Sequence, residues 1–180
     1  MGGPRGLVKG TAMATSVRRR VERKTSKWTG YHRILWPTDF STLAQAALSH
    51  AVGLASDAKA ELVLLHVLPP LTTYVVADMS GTLWAPLQRK TRAAAQRQLL
   101  RLETQVKGPN CRTRTVLTEG VPFHEILQVA KRLRCDLIVL ATHGRTGLVH
   151  AIMGSVAENV IRRASCPVLT IHPPRFRRGL

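Results

Sequence analysis

The chain has 180 residues, 44% of them hydrophobic but only 4% aromatic, and a formal charge of +17. That length suits one domain with a core of Leu, Val, Ile and Ala, and no apolar run approaches the roughly 18–20 residues that a membrane-spanning helix needs. Residues 1–29 carry eight Lys/Arg and one acid, and three of the last six residues are arginines, so much of the basic excess sits in two tails and defines no single basic face.

Residues 1–29 lack hydrophobic periodicity and are rich in Arg, Lys, Gly, Ser and Thr. Three readings stand for this arm: a flexible tail, an Arg-rich, acid-poor transit peptide, and a tether to anionic surfaces through Arg18-Arg19-Arg20. Met13 is an alternative start. The expected organisation is arm (1–29), folded domain (30–174) and short basic tail (175–180).

Arg33 to Trp36 reads as a first strand, closed by Pro37-Thr38-Asp39. A helix follows, its start marked by a Thr42/Gln45 capping box with Ser41 as a competing cap. Ala44, Ala47, Leu48, Ala51, Leu54 and Ala55 form its inner stripe. Glu61 to Leu68 is a second strand, apolar throughout except for His66, which is expected to be a satisfied core residue. Residues 69–85 form an irregular connection, long for a compact domain. A helix then runs from about Pro86 to Val106, with Ala95, Leu99, Leu102 and Val106 inward and Arg89, Lys90, Arg92, Arg97 and Arg101 on a solvated face.

Arg112 to Thr118 alternates, as a strand near an edge does. Glu119-Gly120-Val121-Pro122 turns into a helix with Phe123, Ile126, Leu127, Ala130 and Leu133 inward. Leu137 to Ala141 is a strand buried on both faces. It breaks into the polar loop Thr142-His143-Gly144-Arg145-Thr146-Gly147, and the chain resumes at Gly154-Ser155 in a last helix. Ser155 and Glu158 have the spacing of a capping box, and Val156, Val160, Ile161 and Ala164 are its expected buried side. Cys166 to Ile171 is the final strand. Cys111, Cys135 and Cys166 show no metal-binding spacing and read as reduced thiols in a cytosolic setting, hence a cytoplasmic protein.

Strands alternating with helices imply an open α/β parallel sheet covered on both faces. Ligands of such sheets bind at the carboxyl ends of the strands, near the switch point. That edge gathers Pro37-Thr38-Asp39, Val67 and the segment from Ala141 to Ser155. A strand, a glycine loop and a helix N-terminus together suit a phosphate, because the first-turn N–H groups are free and the helix dipole favours an anion. Asp39 is read as facing ribose hydroxyls or water on a phosphate-bound Mg²⁺, or else as an acid at a helix start. Val67 either packs on a purine or fills core. No Walker-type or GxGxxG motif occurs, and no nucleophile, base and orienter stand in a triad-like arrangement, so dedicated catalysis is not expected.

The segments RILWPTDFS, LVLLHV, EGVPFHEI, DLIVLATHGRTGL and MGSVAENVIRRASCPVLTI closely resemble the universal stress protein family over residues 31–172. The family's nucleotide signature, Gly-x2-Gly-x9-Gly-Ser/Thr, falls here on Ala141-x2-Gly144-x9-Gly154-Ser155, with Ala141 in place of the first glycine. The resemblance implies a Rossmann-like fold with strand order 3-2-1-4-5, ATP or another adenine nucleotide as ligand with Mg²⁺ or Mn²⁺, and a stress-response or signalling role with little turnover. The implied nucleotide-binding residues are Pro37, Thr38, Asp39, Val67, Ala141, Thr142, His143, Gly144, Arg145, Gly154, Ser155 and Val156. Asp39 would touch the metal only through water or phosphate. A homodimer joined through Pro167 to Ile171 is also implied. A nucleotide-free member acting through dimerisation and protein partners is the alternative, and nucleic-acid binding is expected, if at all, through the arm.

Overall fold

A computed structural model describes residues 30–70, 84–108, 111–142 and 154–172. The basic arm, most of the 69–85 connection, His143, Gly144, Arg145 and the C-terminal tail lie outside the described residues.

Five strands alternate with four helices among the described residues: β1 (Arg33–Thr38), α1 (Thr42–Ala58), β2 (Glu61–Leu68), α2 (Trp84–Val106), β3 (Arg112–Glu119), α3 (Pro122–Arg132), β4 (Leu137–Ala141), α4 (Ser155–Arg163) and β5 (Val168–Ile171). The strands form one parallel sheet in the order β3-β2-β1-β4-β5, as the sequence predicts. Alternate residues of the central strands serve opposite faces, the period-two pattern of a strand buried on both sides. Ile34, Trp36, Leu62, Leu64 and Val139 pack under α1 and α2. Leu35, Val63, Leu65, Ile138 and Leu140 pack under α3 and α4.

Trp36 is fully buried, and its indole N–H donates to the Ala44 carbonyl at 3.1 Å. A large apolar ring thereby keeps its polar atom satisfied and fixes the start of α1 on the sheet. The two edge strands are those with the more exposed burial patterns, β3 and β5.

Four local expectations need correction. β1 runs on through Pro37 to Thr38 and pairs with β2 over its full length, Thr38 opposite His66. Its pairing with β4 covers only Ile34 and Leu35. Pro37 has no N–H to give, so the strand can continue beside β2 while its ladder to β4 lapses. The cap of α1 is Ser41, whose hydroxyl accepts from the Ala44 N–H at 3.2 Å, and Thr42 is already inside the helix. α4 has no capping box: Gly154 occupies the cap position without a side chain to offer, Ser155 is the first helical residue, and Glu158 pairs with Arg162 at 3.1 Å. On the same helix Ala157 and Val160 are buried, whereas Ile161 is 40% exposed.

Candidate functional site

Parallel pairing puts the carboxyl ends of all five strands on one edge, and there β1 and β4 lie side by side at the point where the chain reverses its direction of winding. The turn after β1 is built from short polar side chains. Thr38 Oγ1 accepts from the Phe40 N–H at 2.9 Å, and Asp39 Oδ1 accepts from the Ser41 N–H at 3.0 Å. These bonds satisfy backbone donors just ahead of α1, as Asx and ST turns do. Phe40 adopts a left-handed backbone, φ +65°, a conformation uncommon outside glycine. Its ring lies over His66, with centroids 4.2 Å apart.

His66 is buried, as expected of a core residue. The Thr38 carbonyl can only accept, so the His66 Nδ1, 2.7 Å away, carries the proton and donates. His66 therefore fastens the end of β1 to β2 while one side of it borders open space. That space is a cavity of about 490 Å³, within the range of small-molecule sites. Its wall includes Asp39, Phe40, His66 and Val67 from the sheet edge, Leu87, Gln88 and Thr91 from α2, and Glu119 and Pro122 from the end of β3 and start of α3. Asp39 and Val67, two residues singled out from the sequence, thus share one cavity. Phe40, Gln88 and Glu119 were not singled out. The available signal was positional: Phe40 and Glu119 close strands β1 and β3 at the same edge as Asp39, while nothing in the sequence brings the first turns of α2 there.

The second group of expected residues forms a separate assembly. Ala141 ends β4 opposite Ile171. Thr142 is fully buried; its N–H donates to the Ile171 carbonyl at 3.1 Å, and its own carbonyl accepts from the Gly154 N–H at 2.8 Å. The Thr142 hydroxyl lies 3.3 Å from His172 Nδ1. Gly154 is thereby held against the end of β4, and the first-turn amides of α4 begin at that edge. Ser155 is exposed, and Val156 is half-buried against the α3–α4 side of the core. None of these residues lines the cavity that holds Asp39 and Val67. Among the described residues no cluster of three or more His, Cys, Asp or Glu side chains could hold a metal by itself, and no helix is long and apolar enough to cross a membrane.

The cysteines lie away from this edge. Burial pushes the Cys135 thiol up to about 12 against partial relief from the Arg33 charge, and burial likewise raises Cys111 and Cys166. All three are free thiols.

An open parallel sheet with its crevice at the β1/β4 switch point defines a Rossmann-like ligand-binding α/β protein. Comparison with known proteins narrows this further. Residues 30–172 match the model of the universal stress protein family, and the chain belongs to that family. It is 33% identical over 145 residues to universal stress protein MJ0531 of Methanocaldococcus jannaschii, spanning 81% of this chain and 84% of that one. A solved structure of protein MJ0577 superposes with a TM-score of 0.72 at 29% identity, covering 81% of this chain and 98% of the other. The fold also matches a universal stress protein from Archaeoglobus fulgidus solved in complex with dAMP, at a TM-score of 0.57 and 21% identity, over 78% of this chain and 97% of that one.

Proposed function

We propose that the protein binds an adenine nucleotide at the carboxyl edge of its sheet and acts as a regulatory module of the stress response, with no dedicated catalysis. The observation that carries this reading is the shared cavity of Asp39 and Val67, a carboxylate and an apolar surface one strand apart at the switch point. The ribose would meet Asp39, the base would lie on Val67, and the phosphates would run toward Gly154 and Ser155 at the start of α4. There the Ser155 hydroxyl and the first-turn amides are suited to an anion. Gly144 and Arg145 are assigned to the same phosphate cradle. A relative of the same fold solved with dAMP supports an adenylate as the ligand class.

A divalent cation fits this arrangement only as a companion of the phosphates. One carboxylate, Asp39, would hold its water shell, and the cation would neutralise phosphate charge. The subunits would pair through β5, an edge strand on which Leu169 is 37% exposed, with Ile161 on the neighbouring helix also exposed. The basic arm is assigned a role separate from the folded domain.

The test is direct. Protein purified without added nucleotide, then denatured, should release an adenine nucleotide, and ATP should raise the melting temperature of the stripped protein. Ligand at one hundred times its dissociation constant adds about 2.7 kcal/mol. Asp39→Ala should weaken binding by about tenfold or more. A second reading, a nucleotide-free stress protein, draws on Ala141, whose methyl replaces the first glycine of the family signature. That reading stands if no nucleotide co-purifies and ATP leaves the melting temperature unmoved.

A further inference from the structure

The end of the cavity farthest from α4 carries an acid and no described base, and this sets which part of a ligand can lie there. Its described wall includes two carboxylates, Asp39 and Glu119, and no Lys or Arg. A phosphate at this end would face negative charge without compensation. A neutral ring carrying hydrogen-bond donors suits it.

Strand register orders the groups. Thr38 pairs with His66 and Leu68 pairs with Glu119, so Asp39, Val67 and Glu119 lie in a row across the ends of β1, β2 and β3. Neighbouring strands are about 4.8 Å apart, which sets Asp39 and Glu119 about 10 Å from one another with Val67 between them. That is the length of a nucleoside from its ribose hydroxyls to the far edge of its base.

Glu119 is held where it is. The Gly120 N–H donates to the Leu68 carbonyl at 2.9 Å, tying the end of β3 to β2. Gly120 has φ +151°, and a Cβ there would meet the Glu125 side chain at 2.9 Å, so the turn requires glycine. The carboxylate is steadied from α2 by Gln88, whose Nε2 lies 3.2 Å from each of its oxygens. With its amide hydrogens turned to Glu119, Gln88 leaves its carbonyl oxygen as an acceptor.

We infer that Glu119, positioned by Gln88, selects a purine whose six-membered ring bears an exocyclic amine, and so distinguishes adenine from guanine and hypoxanthine. This inference rests on the nucleotide reading above. An adenine N6 amine gives the carboxylate a hydrogen to accept. The O6 of guanine or hypoxanthine sets two acceptors against each other, which leaves both without partners once water is displaced.

The experiment measures affinities of ATP, GTP and ITP for the full chain, its Glu119→Gln and Gln88→Ala variants, and Asp39→Ala. ITP is the decisive probe, because it differs from ATP at the 6-position alone. Wild type is expected to prefer ATP over ITP by about tenfold or more. Glu119→Gln, whose amide can donate as well as accept, should bring the two within about twofold, and Gln88→Ala should narrow the gap partway. Asp39→Ala should weaken all three and leave their ratios unchanged. The Glu119 side chain is exposed, so the variant should melt as wild type does without ligand. Equal affinity of wild type for ATP and ITP, or a preference that survives in Glu119→Gln, overturns the inference while the nucleotide reading stands. Absence of binding by every nucleotide to wild type overturns both.

Discussion

The two ends of the sheet use similar side chains for opposite purposes. At the amino end, Asp136 accepts from the backbone N–H groups of His32 and Arg33 at 2.7 and 3.0 Å, with His32 Nδ1 at 3.3 Å. Arg33 bonds Glu61 and the Leu133 carbonyl. The Asp136 N–H returns a bond to the Arg33 carbonyl, and the Glu61 N–H one to the His32 carbonyl. The charges there close on one another and lace β1, β2 and β4 together. At the carboxyl end, Asp39 and Glu119 border open space with an apolar floor between them. Both ends bond their carboxylates; only one leaves a cavity beside them. A rim whose acids are spent on its own backbone serves stability, and a rim whose acids flank a hollow serves a ligand.

The largest effect that tests this contrast should come from Asp136→Ala. It removes a carboxylate accepting two backbone N–H groups and should cost about 2–4 kcal/mol, read as a lower denaturation midpoint. Nucleotide affinity of the folded fraction should not change. A loss of affinity equal to that of Asp39→Ala would mean that the two ends are not independent. Gly120→Ala comes next, with a cost of about 1–3 kcal/mol from the left-handed turn and the clash with Glu125. Because it displaces Glu119, it should also blunt discrimination between ATP and ITP, which Asp136→Ala should not.

The smallest effect concerns Cys135 at the amino end. Its folded-state thiol is raised by burial to about 12, above the ordinary value near 8.5. The unfolded chain therefore gives up this proton first as pH rises. The stabilising contribution is whole below the ordinary value and is lost progressively up to about pH 12. Stability should fall more steeply with alkaline pH in wild type than in Cys135→Ala, and native Cys135 should react with a thiol reagent at pH 8 far more slowly than in the unfolded protein.

The order of strands and helices is legible in the chain because period-two and period-3.6 patterns state which residues must leave water. Ala44, Ala47 and Ala51 on α1, and Leu137 to Leu140 on β4, are buried as that rule requires. Legibility fails where neighbours compete for one role. Ser41 and Thr42 both carry a capping hydroxyl, and only the extended backbone of Ser41 decides between them. On α4 the nine-residue helix is too short for periodicity to fix its phase, so Ile161 and Ala157 exchange places between expectation and structure. Asp39 and Val67 could be singled out because both end strands. Gln88 could not, since it reaches the cavity from a helix some twenty residues after the strand it faces, and nothing in local pattern encodes that approach.

The single hydrogen bond from the Gly154 N–H to the Thr142 carbonyl has an evolutionary corollary. Eleven residues separate its partners, yet both ends of that segment are pinned to the same spot on the sheet. Its entropy of closure is already met by the scaffold, so substitutions or length changes within it need not loosen β4 or re-aim α4. Such a segment is free to diverge in recognition while the frame beneath it stays constant.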